Sequence, residues 1–252
     1  MAVADIDAAV AFYGDLLGWE FQPAGTVEET GGYGNLLYKG KYVAGIGPIM
    51  GEGQPPAWSS YVNVADADAT AARVTGAGGA LIVEPMDIPN GAGRMAVCQD
   101  AEGAVFSLWQ PGEHRGAQLV NEVGTWTWNN LVTRDLDKAK GFYGEVFGWT
   151  AEVSAQAPPD SPYQMWQVAG QRWEEGLAGL STADSDLSAG VPPHWQVYFA
   201  VASADEAIEK TKAAGGQSLF GPQRIPVGTL AILVDPQGAG FAIIEPDYPE
   251  GR

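Results

Sequence analysis

The residue types that most often carry catalysis or bind metals are scarce in this chain. It has two histidines, His114 and His194, and one cysteine, Cys98, among 252 residues. A zinc site or a two-histidine, one-carboxylate iron site needs several such side chains converging on one ion. The sequence also shows no Ser-His-Asp or Cys-His arrangement. It therefore favours binding or chemistry by aromatic and neutral polar side chains.

Three residues are candidates for acid–base chemistry without a metal. Tyr198 follows His194 on a predicted strand, about 13 Å further along it, so the two could act on opposite ends of a bound molecule. Tyr61 occupies a comparable strand position earlier in the chain. Cys98 lies on an apolar strand, and we expect it to be a buried, unreactive thiol.

Strand periodicity suggests which side chains line a binding surface. In "WQVYFAV", the odd positions from Trp195 are apolar and predict a core-facing side, so Gln196 and Tyr198 face the other way. The same reading elsewhere predicts these ligand-binding residues: Trp126, Trp128, Asn130, Gln196, Tyr198 and Ile244 in the second half, and Ser59, Tyr61, Asn63 and Trp109 in the first. Tyr163 and Trp166 are added because they lie in "APPDSPYQMW", whose prolines predict a rigid flap that can reach a ligand. Aromatic walls with a few neutral polar groups suit a flat, uncharged or cationic molecule. The alternative is that these large side chains simply fill the interior.

The chain repeats itself at a distance of 130 residues. "FYGDLLGWEF" starts at Phe12 and "FYGEVFGWTA" starts at Phe142. Later blocks also match in order, including "PPAWSSYVNV" with "PPHWQVYFAV" and "DAEGAVFSLWQP" with "DPQGAGFAIIEP". Such a series indicates a tandem duplication. We predict a first domain at 1–112, a linker at 113–124 and a second domain at 125–252.

Within each copy the pattern predicts the order βαβββ twice, in the α+β class. In the second copy, an amphipathic helix that Asp135 or Asp137 can cap is predicted from its apolar stripe, which contains Ala139, Phe142, Tyr143, Val146 and Phe147. The first copy has only "MAVA" before Asp5, so most of its first strand is missing. An open sheet edge can pair with another chain, which suggests a homodimer, and for the same reason we expect the second copy to hold the better-formed pocket.

These motifs resemble the vicinal oxygen chelate superfamily, which includes glyoxalases, extradiol dioxygenases and bleomycin-resistance proteins. The resemblance rests on "FYGDLLGW", "FYGEVFGW", "DAEG" and "DPQG" and spans essentially the whole chain. It is similar in particular to the two-domain actinobacterial branch of glyoxalase-like or hydroxylase proteins. The resemblance implies two domains, each an open eight-stranded cup with helices outside. It does not define the chemistry, because many reactions share this fold.

The resemblance also implies where a divalent ion would be bound, and the residues there depart from the pattern. The implied ligand positions hold Trp128, Gln196 and Ala242 in the second copy, and Ser59 and Ser107 in the first. None is His, Asp or Glu. Glu245 would reach such a site only through a slip in strand register. We therefore predict neither a metal site nor a cofactor.

The charge composition limits the kinds of partner that we expect this protein to bind. There are 13 basic and 31 acidic residues, a net charge of −18. Nucleic acids and anionic membranes are bound through Lys and Arg, so neither is an expected partner. The first residues, "MAVADIDAAV", do not have the basic and apolar segments of a signal peptide, so we expect none, and no apolar run is long enough to span a bilayer. With a single cysteine, these features favour a cytoplasmic protein.

The sequence leaves several functions open. The first is a metal-free protein that binds a hydrophobic or aromatic small molecule, such as a secondary metabolite or antibiotic. The second is a metal-independent enzyme of secondary metabolism that performs cyclisation, isomerisation or lyase chemistry. The third is a glyoxalase- or dioxygenase-like metalloenzyme with unusual ligands. The fourth is a redox partner that binds a flavin or deazaflavin, although the sequence contains no phosphate-binding motif that would support this role.

Overall fold

The computed structural model describes residues 1–153, 163–168, 177–182 and 191–247. Its helices are α1 (Ile6–Leu17), α2 (Val27–Thr30), α3 (Ala67–Gly76), α4 (Leu136–Phe147) and α5 (Ala204–Ala213). Its strands are β1 (Ala2–Val3), β2 (Glu20–Pro23), β3 (Gly34–Tyr38), β4 (Lys41–Pro48), β5 (Tyr61–Asn63), β6 (Ala80–Ile88), β7 (Gly93–Gln99), β8 (Val105–Pro111), β9 (Trp126–Thr133), β10 (Trp149–Val153), β11 (Gln164–Val168), β12 (Ala178–Thr182), β13 (His194–Ala200), β14 (Gln217–Ile225), β15 (Gly228–Val234) and β16 (Gly240–Pro246).

These elements form four βαβββ modules, as the sequence predicts. Module 1 contains β1 to β4, module 2 β5 to β8, module 3 β9 to β12 and module 4 β13 to β16. In every module the first strand pairs in parallel with the last, and the remaining neighbours are antiparallel. A parallel pair needs a long crossover connection, which is the route that the helix of each module takes.

The long helix of each repeat starts and ends as the sequence predicts. Asp5 caps α1 and Asp135 caps α4, because each carboxylate accepts hydrogen bonds from backbone N–H groups of the first turn. Each helix ends at a glycine, Gly18 (φ 76°) or Gly148 (φ 71°), in the left-handed conformation that favours glycine. The predicted apolar stripe of α4 is buried except for Phe147, which packs partly buried against the core of unit 2.

The chain divides into two compact units, each assembled from separate segments. Unit 1 consists of Met1–Trp58, Gly116–Trp128 and the described residues from Val197 onward, and unit 2 consists of residues 59–115 and the described residues of 129–196. Unit 1 thus holds module 1 and most of module 4, whereas unit 2 holds module 2 and most of module 3. The domain limits drawn from the repeat, at 1–112 and 125–252, stay a prediction.

Each unit has one aromatic core in which helices cover sheet faces. In unit 1, Phe12 and Tyr13 of α1 pack with Phe199 and Phe241. In unit 2, Phe142 and Tyr143 of α4 pack with Phe106. Burying one such side chain contributes roughly 1.5–3 kcal/mol, so the aromatic residues of the repeat contribute much of the stability.

Two further sequence predictions concern the start of the chain and the membrane. The first strand of module 1 is indeed short, because β1 contains only Ala2 and Val3, which pair with Gly47 and Pro48. In the part of the chain that the structure describes, no helix has the length and apolar character needed to cross a bilayer. The homodimer stays a prediction.

Candidate functional site

The repeated motifs meet in a buried hydrogen-bond network in unit 2. The hydroxyl of Tyr143 donates to Asp100 Oδ2 at 3.0 Å, and Trp195 Nε1 donates to that hydroxyl at 2.8 Å. Asp100 Oδ1 accepts from the backbone N–H groups of Glu102 and Ala104, both at 2.9 Å. The tyrosine of "FYG" therefore fastens helix α4 to the turn "DAEG".

Unit 1 contains the same network with other residues. Tyr13 donates to Asp235 at 3.0 Å, and Trp58 Nε1 donates to Tyr13 at 2.8 Å. Asp235 Oδ1 accepts from the N–H groups of Gln237 and Ala239. Burial raises the pKa of both Tyr13 and Tyr143 well above the usual range. The most conspicuous sequence motifs of the chain therefore have a structural role.

Module 2 presents a different kind of surface, which we call the Trp109 face. Tyr61 lies opposite Ser107 and Ser107 opposite Val97, while Asn63 lies opposite Trp109 and Trp109 opposite Met95. The Trp109 face comprises the following residues: Tyr61, Asn63, Met86, Met95, Val97, Ser107 and Trp109. Alternate residues of the same strands, such as Phe106 and Leu108, point into the core of unit 2. This confirms the predicted orientation of these strands.

The indole of Trp109 extends over Gly93 of the neighbouring strand β7. A Cβ atom added to Gly93 would come within 2.6 Å of the indole ring, so the glycine makes room for it. Trp109 Nε1 donates to the carbonyl of His114 at 2.9 Å. The ring of Tyr61 meets the indole edge-to-face at 6.3 Å. The indole is therefore held in place and presents a planar wall.

We expect Gly93→Val to disturb this arrangement. The added Cβ would also lie 2.6 Å from the carbonyl oxygen of Gln110, so backbone as well as indole must shift. Overpacking of this kind costs about 1–3 kcal/mol. Thermal denaturation measures the loss of stability, and near-ultraviolet circular dichroism measures the disturbed packing of the indole. Gly240→Val is the control, because Gly240 is also on a strand and has nothing within 4 Å of its Cβ position; an equal loss in both variants would contradict the proposed packing.

Two hydroxyl groups meet on the Trp109 face. Ser107 is 0% exposed, and its Oγ makes no hydrogen bond within the described residues. Tyr61 is 49% exposed through its ring, but burial of its hydroxyl raises its pKa, and the nearby Ser107 hydroxyl lowers it in part. The two hydroxyls interact without the geometry of a hydrogen bond. Tyr61 is consequently protonated at neutral pH, as a donor rather than a base.

His114 lies beside the same face, although the sequence places it in a linker. The N–H groups of Gly112 and His114 both donate to the carbonyl of Ala92 at 3.0 Å, which holds this segment beside the turn that precedes β7. The imidazole contacts the Trp109 indole edge-to-face at 5.8 Å, and burial lowers its pKa. No periodic pattern could reveal this contact, because a turn produces it. Met86 and Met95 also belong to the Trp109 face but are not among the residues predicted from the sequence. Strand alternation places Met95 on this face and could have predicted it.

In module 3 the structure brings two predicted residues together. Asn130 is 4% exposed, its Nδ2 donates to Ser181 Oγ at 2.9 Å, and its Oδ1 has no hydrogen-bond partner in the described chain. A Cβ at Gly179 would lie 2.3 Å from that Oδ1 and 2.4 Å from the Tyr163 hydroxyl. Asn130 and Tyr163 therefore converge over a glycine. The amide serves this packing and is largely closed off from solvent.

One predicted ligand-binding residue is corrected. Trp166 is 0% exposed in the core of unit 2, where its ring lies 5.3 Å from that of Tyr143. It lies in register with Ala178 and Ala151, on the face opposite to Met165, so strand alternation turns it inward. Trp126 is partly buried against the core of unit 1. The prediction that Trp166 lines a ligand site is therefore wrong, whereas the ligand-binding role of Trp126 stays a prediction.

The remaining predicted residues occupy the following places. Tyr198 is half-buried and lies opposite Ala242, and Ile244 is buried on the same face, opposite Leu230. Trp128 and Ser59 are half-buried, and Gln196 is buried. His194 starts β13, where its Nδ1 lies 2.9 Å from the carbonyl of Pro192. The acid–base roles of Tyr198 and His194 stay predictions.

Cys98 is buried as expected, and burial raises the pKa of its thiol to about 11.

A separate cleft of about 190 Å³ lies in unit 1. It runs between the end of α1 and the start of α5, and its lining includes Leu17, Tyr38, Gly124, Glu206 and Lys210. None of the residues that the sequence singles out lines it. Of its charged lining residues, Lys210 is already engaged, because its Nζ donates to the Asp15 carbonyl at 2.7 Å and lies 3.7 Å from the Asp15 carboxylate.

Comparison with known families agrees with this architecture. The model of the Glyoxalase/Bleomycin resistance protein/Dioxygenase superfamily matches residues 1–108 and again residues 122–243. The chain belongs to this superfamily. The double match also confirms the tandem repeat that the sequence shows.

Relatives within the superfamily span almost the whole chain. CFP32 of Mycobacterium tuberculosis, which is named as a candidate glyoxylase, is 39% identical over 98% of this chain and 92% of its own length. The anthracycline biosynthesis proteins DnrV of Streptomyces peucetius and DauV of Streptomyces sp. strain C5 are 35% and 34% identical, each over 96% of this chain and 89% of their own length.

Solved structures show the same fold at low identity. The 2,3-dioxygenase LapB from Pseudomonas sp. KL28 superposes with a TM-score of 0.61 at 13% identity, covering 100% of this chain and 92% of LapB. The Mn(II)-bound glyoxalase from Novosphingobium aromaticivorans gives 0.58 at 17% identity, covering 98% and 82%.

The residues at the metal positions of the superfamily do not fit a divalent ion here. Of the first-copy positions, Ser107 is a buried hydroxyl and Ser59 a second neutral hydroxyl. Of the second-copy positions, Ala242 offers a methyl group and Gln196 a neutral amide. Within the described residues, no three His, Cys, Asp or Glu side chains cluster closely enough to hold an ion. The metal-free assignment itself stays a prediction.

Proposed function

We propose that this superfamily member binds a planar aromatic small molecule of secondary metabolism on the Trp109 face. The observation that carries the proposal is the composition of that face in its three-dimensional register. One fixed indole, one half-exposed tyrosine ring and two methionines surround a hydroxyl pair and the amide of Asn63. Aromatic rings stack on such walls, and flexible methionines adapt to the outline of a ligand.

The relatives support the same class of molecule. DnrV and DauV carry anthracycline biosynthesis in their names, and anthracyclines are fused, planar ring systems with phenol and carbonyl oxygens. A face that combines a planar indole with neutral hydroxyl and amide groups matches such a molecule. Metal chemistry is not needed for this role, because stacking and neutral hydrogen bonds provide the affinity.

The experiment is a titration with emodin, a hydroxylated anthraquinone, followed by its visible absorbance. We expect one saturable site with a Kd on the order of tens of micromolar, from about 0.3 kcal/mol per non-hydrogen atom of ligand. Treatment of the protein with a chelator should leave the Kd unchanged. Absence of saturable binding, or its loss on chelation, would contradict the proposal.

The same titration separates binding from catalysis. Mass spectrometry of emodin recovered after long incubation should return the unaltered compound. A product that forms in chelator-treated protein would instead favour the metal-independent enzyme that the sequence leaves open. His114 and the protonated Tyr61, which flank Trp109, would then be the first residues to test.

A further inference from the structure

The hydroxyl of Ser107 is unusual for a protein interior because it is buried without a hydrogen-bond partner in the described residues. Buried polar groups are nearly always hydrogen-bonded, because losing water without gaining a partner is costly. Ser107 Oγ is fully buried and has no such partner within the described residues. It sits in the middle strand β8, between Tyr61 on one side and Val97 on the other. The hydroxyl therefore has an unused capacity both to donate and to accept.

Tyr61 is the residue that pairs with Ser107 across the sheet. The two residues are direct neighbours across β5 and β8, and their hydroxyls are close enough to affect each other. The Tyr61 ring is half exposed and meets Trp109 only by an edge, at 6.3 Å. An exposed ring with one aromatic contact can change rotamer at small cost. A rotamer change of Tyr61 is therefore the route by which a ligand atom would reach Ser107.

We infer that Ser107, together with the Tyr61 hydroxyl, anchors a ring-bound oxygen of the ligand, a phenol or a carbonyl, while the fused rings lie against Trp109. The inference rests on the proposed function and specifies its ligand class. A hydroxyl pair can donate to a carbonyl and can also accept from a phenol. A hydrocarbon ring system of the same shape would leave Ser107 unpaired, so the site selects oxygenated rings.

The test compares two soluble probes that differ by one hydroxyl, 5-hydroxynaphthalene-1-sulfonate and naphthalene-1-sulfonate. Each is titrated by ligand-observed NMR at a fixed ionic strength, which screens the acidic surface equally for both. The wild-type protein should prefer the hydroxylated probe about tenfold. In Ser107→Ala the preference should fall to about twofold or less, chiefly through weaker binding of the hydroxylated probe.

The variants keep this test free of folding artefacts. Ser107→Ala removes an unpaired polar group, so its melting temperature should equal or exceed that of the wild type. Ser60→Ala is the matched control, because the Ser60 hydroxyl already donates to Asn129 Oδ1 at 3.0 Å, and its preference should stay about tenfold. An unchanged preference in Ser107→Ala overturns the inference, even if emodin binds. Failure of the wild-type protein to bind emodin overturns the proposed function as well.

Discussion

Asp100→Ala should lower the free energy of unfolding by about 3 kcal/mol. The substitution leaves the N–H groups of Glu102 and Ala104 and the hydroxyl of Tyr143 without their acceptor. Each unsatisfied buried group costs roughly 1–3 kcal/mol, part of which entering water can recover. Chemical denaturation followed by far-ultraviolet circular dichroism measures the change.

The control is Asp66→Ala, which removes a carboxylate of comparable local role but outside the core. Asp66 caps α3 by accepting from Ala69 N at 2.9 Å in an exposed position, so its loss should cost only about 1 kcal/mol. Asp235→Ala, the counterpart in unit 1, should resemble Asp100→Ala. If Asp100→Ala proves no worse than Asp66→Ala, the repeated motif does not stabilise the core in the way described.

Asp100 also gives the stability a pH dependence with a definite sign. Burial raises its pKa above the ordinary 3.8, so the folded state holds the proton more tightly than the unfolded state. Its contribution is therefore greatest below 3.8 and is lost as pH rises through the raised folded pKa. The free energy of unfolding of the wild type minus that of Asp100→Asn should therefore decrease as the pH rises from 3.8 through the folded pKa of Asp100. A rising difference would show that hydrogen bonds to the carboxylate outweigh its burial.

Trp109→Ala should weaken emodin binding about 30-fold, which corresponds to about 2 kcal/mol. The indole supplies the planar wall of the Trp109 face, and aromatic stacking adds about 0.5–1.5 kcal/mol to the gain from burying ring surface. Trp109→Phe should lose less, since it keeps an aromatic ring but not the hydrogen bond to His114. The visible absorbance of emodin reports the Kd without depending on tryptophan fluorescence.

Leu219→Ala controls for general loss of apolar surface. Leu219 is an exposed residue of β14 in unit 1 and does not belong to the Trp109 face, so its variant should bind emodin as the wild type does. Equal weakening in both variants would indicate adsorption to apolar surface rather than a site. Undiminished binding by Trp109→Ala would place the aromatic ligand elsewhere.

How far the sequence predicts the molecule depends on whether the signal is local. Helix caps such as Asp135, the stops at Gly18 and Gly148, and the apolar stripe of α4 all follow from neighbouring residues. Trp166 shows the limit. It lies on a strand that carries large side chains on both faces, so alternation alone could not decide which face meets the core. The register of Trp166 with the buried Ala178 shows that its side chain faces the core.

The amino-acid sequence by itself determined the duplication, the four βαβββ modules, the superfamily resemblance and the lack of charged ligands at the implied metal positions, because each of these lies in short motifs or their spacing. Only the tertiary structure decided that Tyr143 meets Asp100 and Tyr13 meets Asp235, that Ser107 is buried without a partner, and that His114 lies against Trp109. These contacts join residues from different modules or across a turn. They depend on strand register and chain reversal, which no single stretch of sequence encodes.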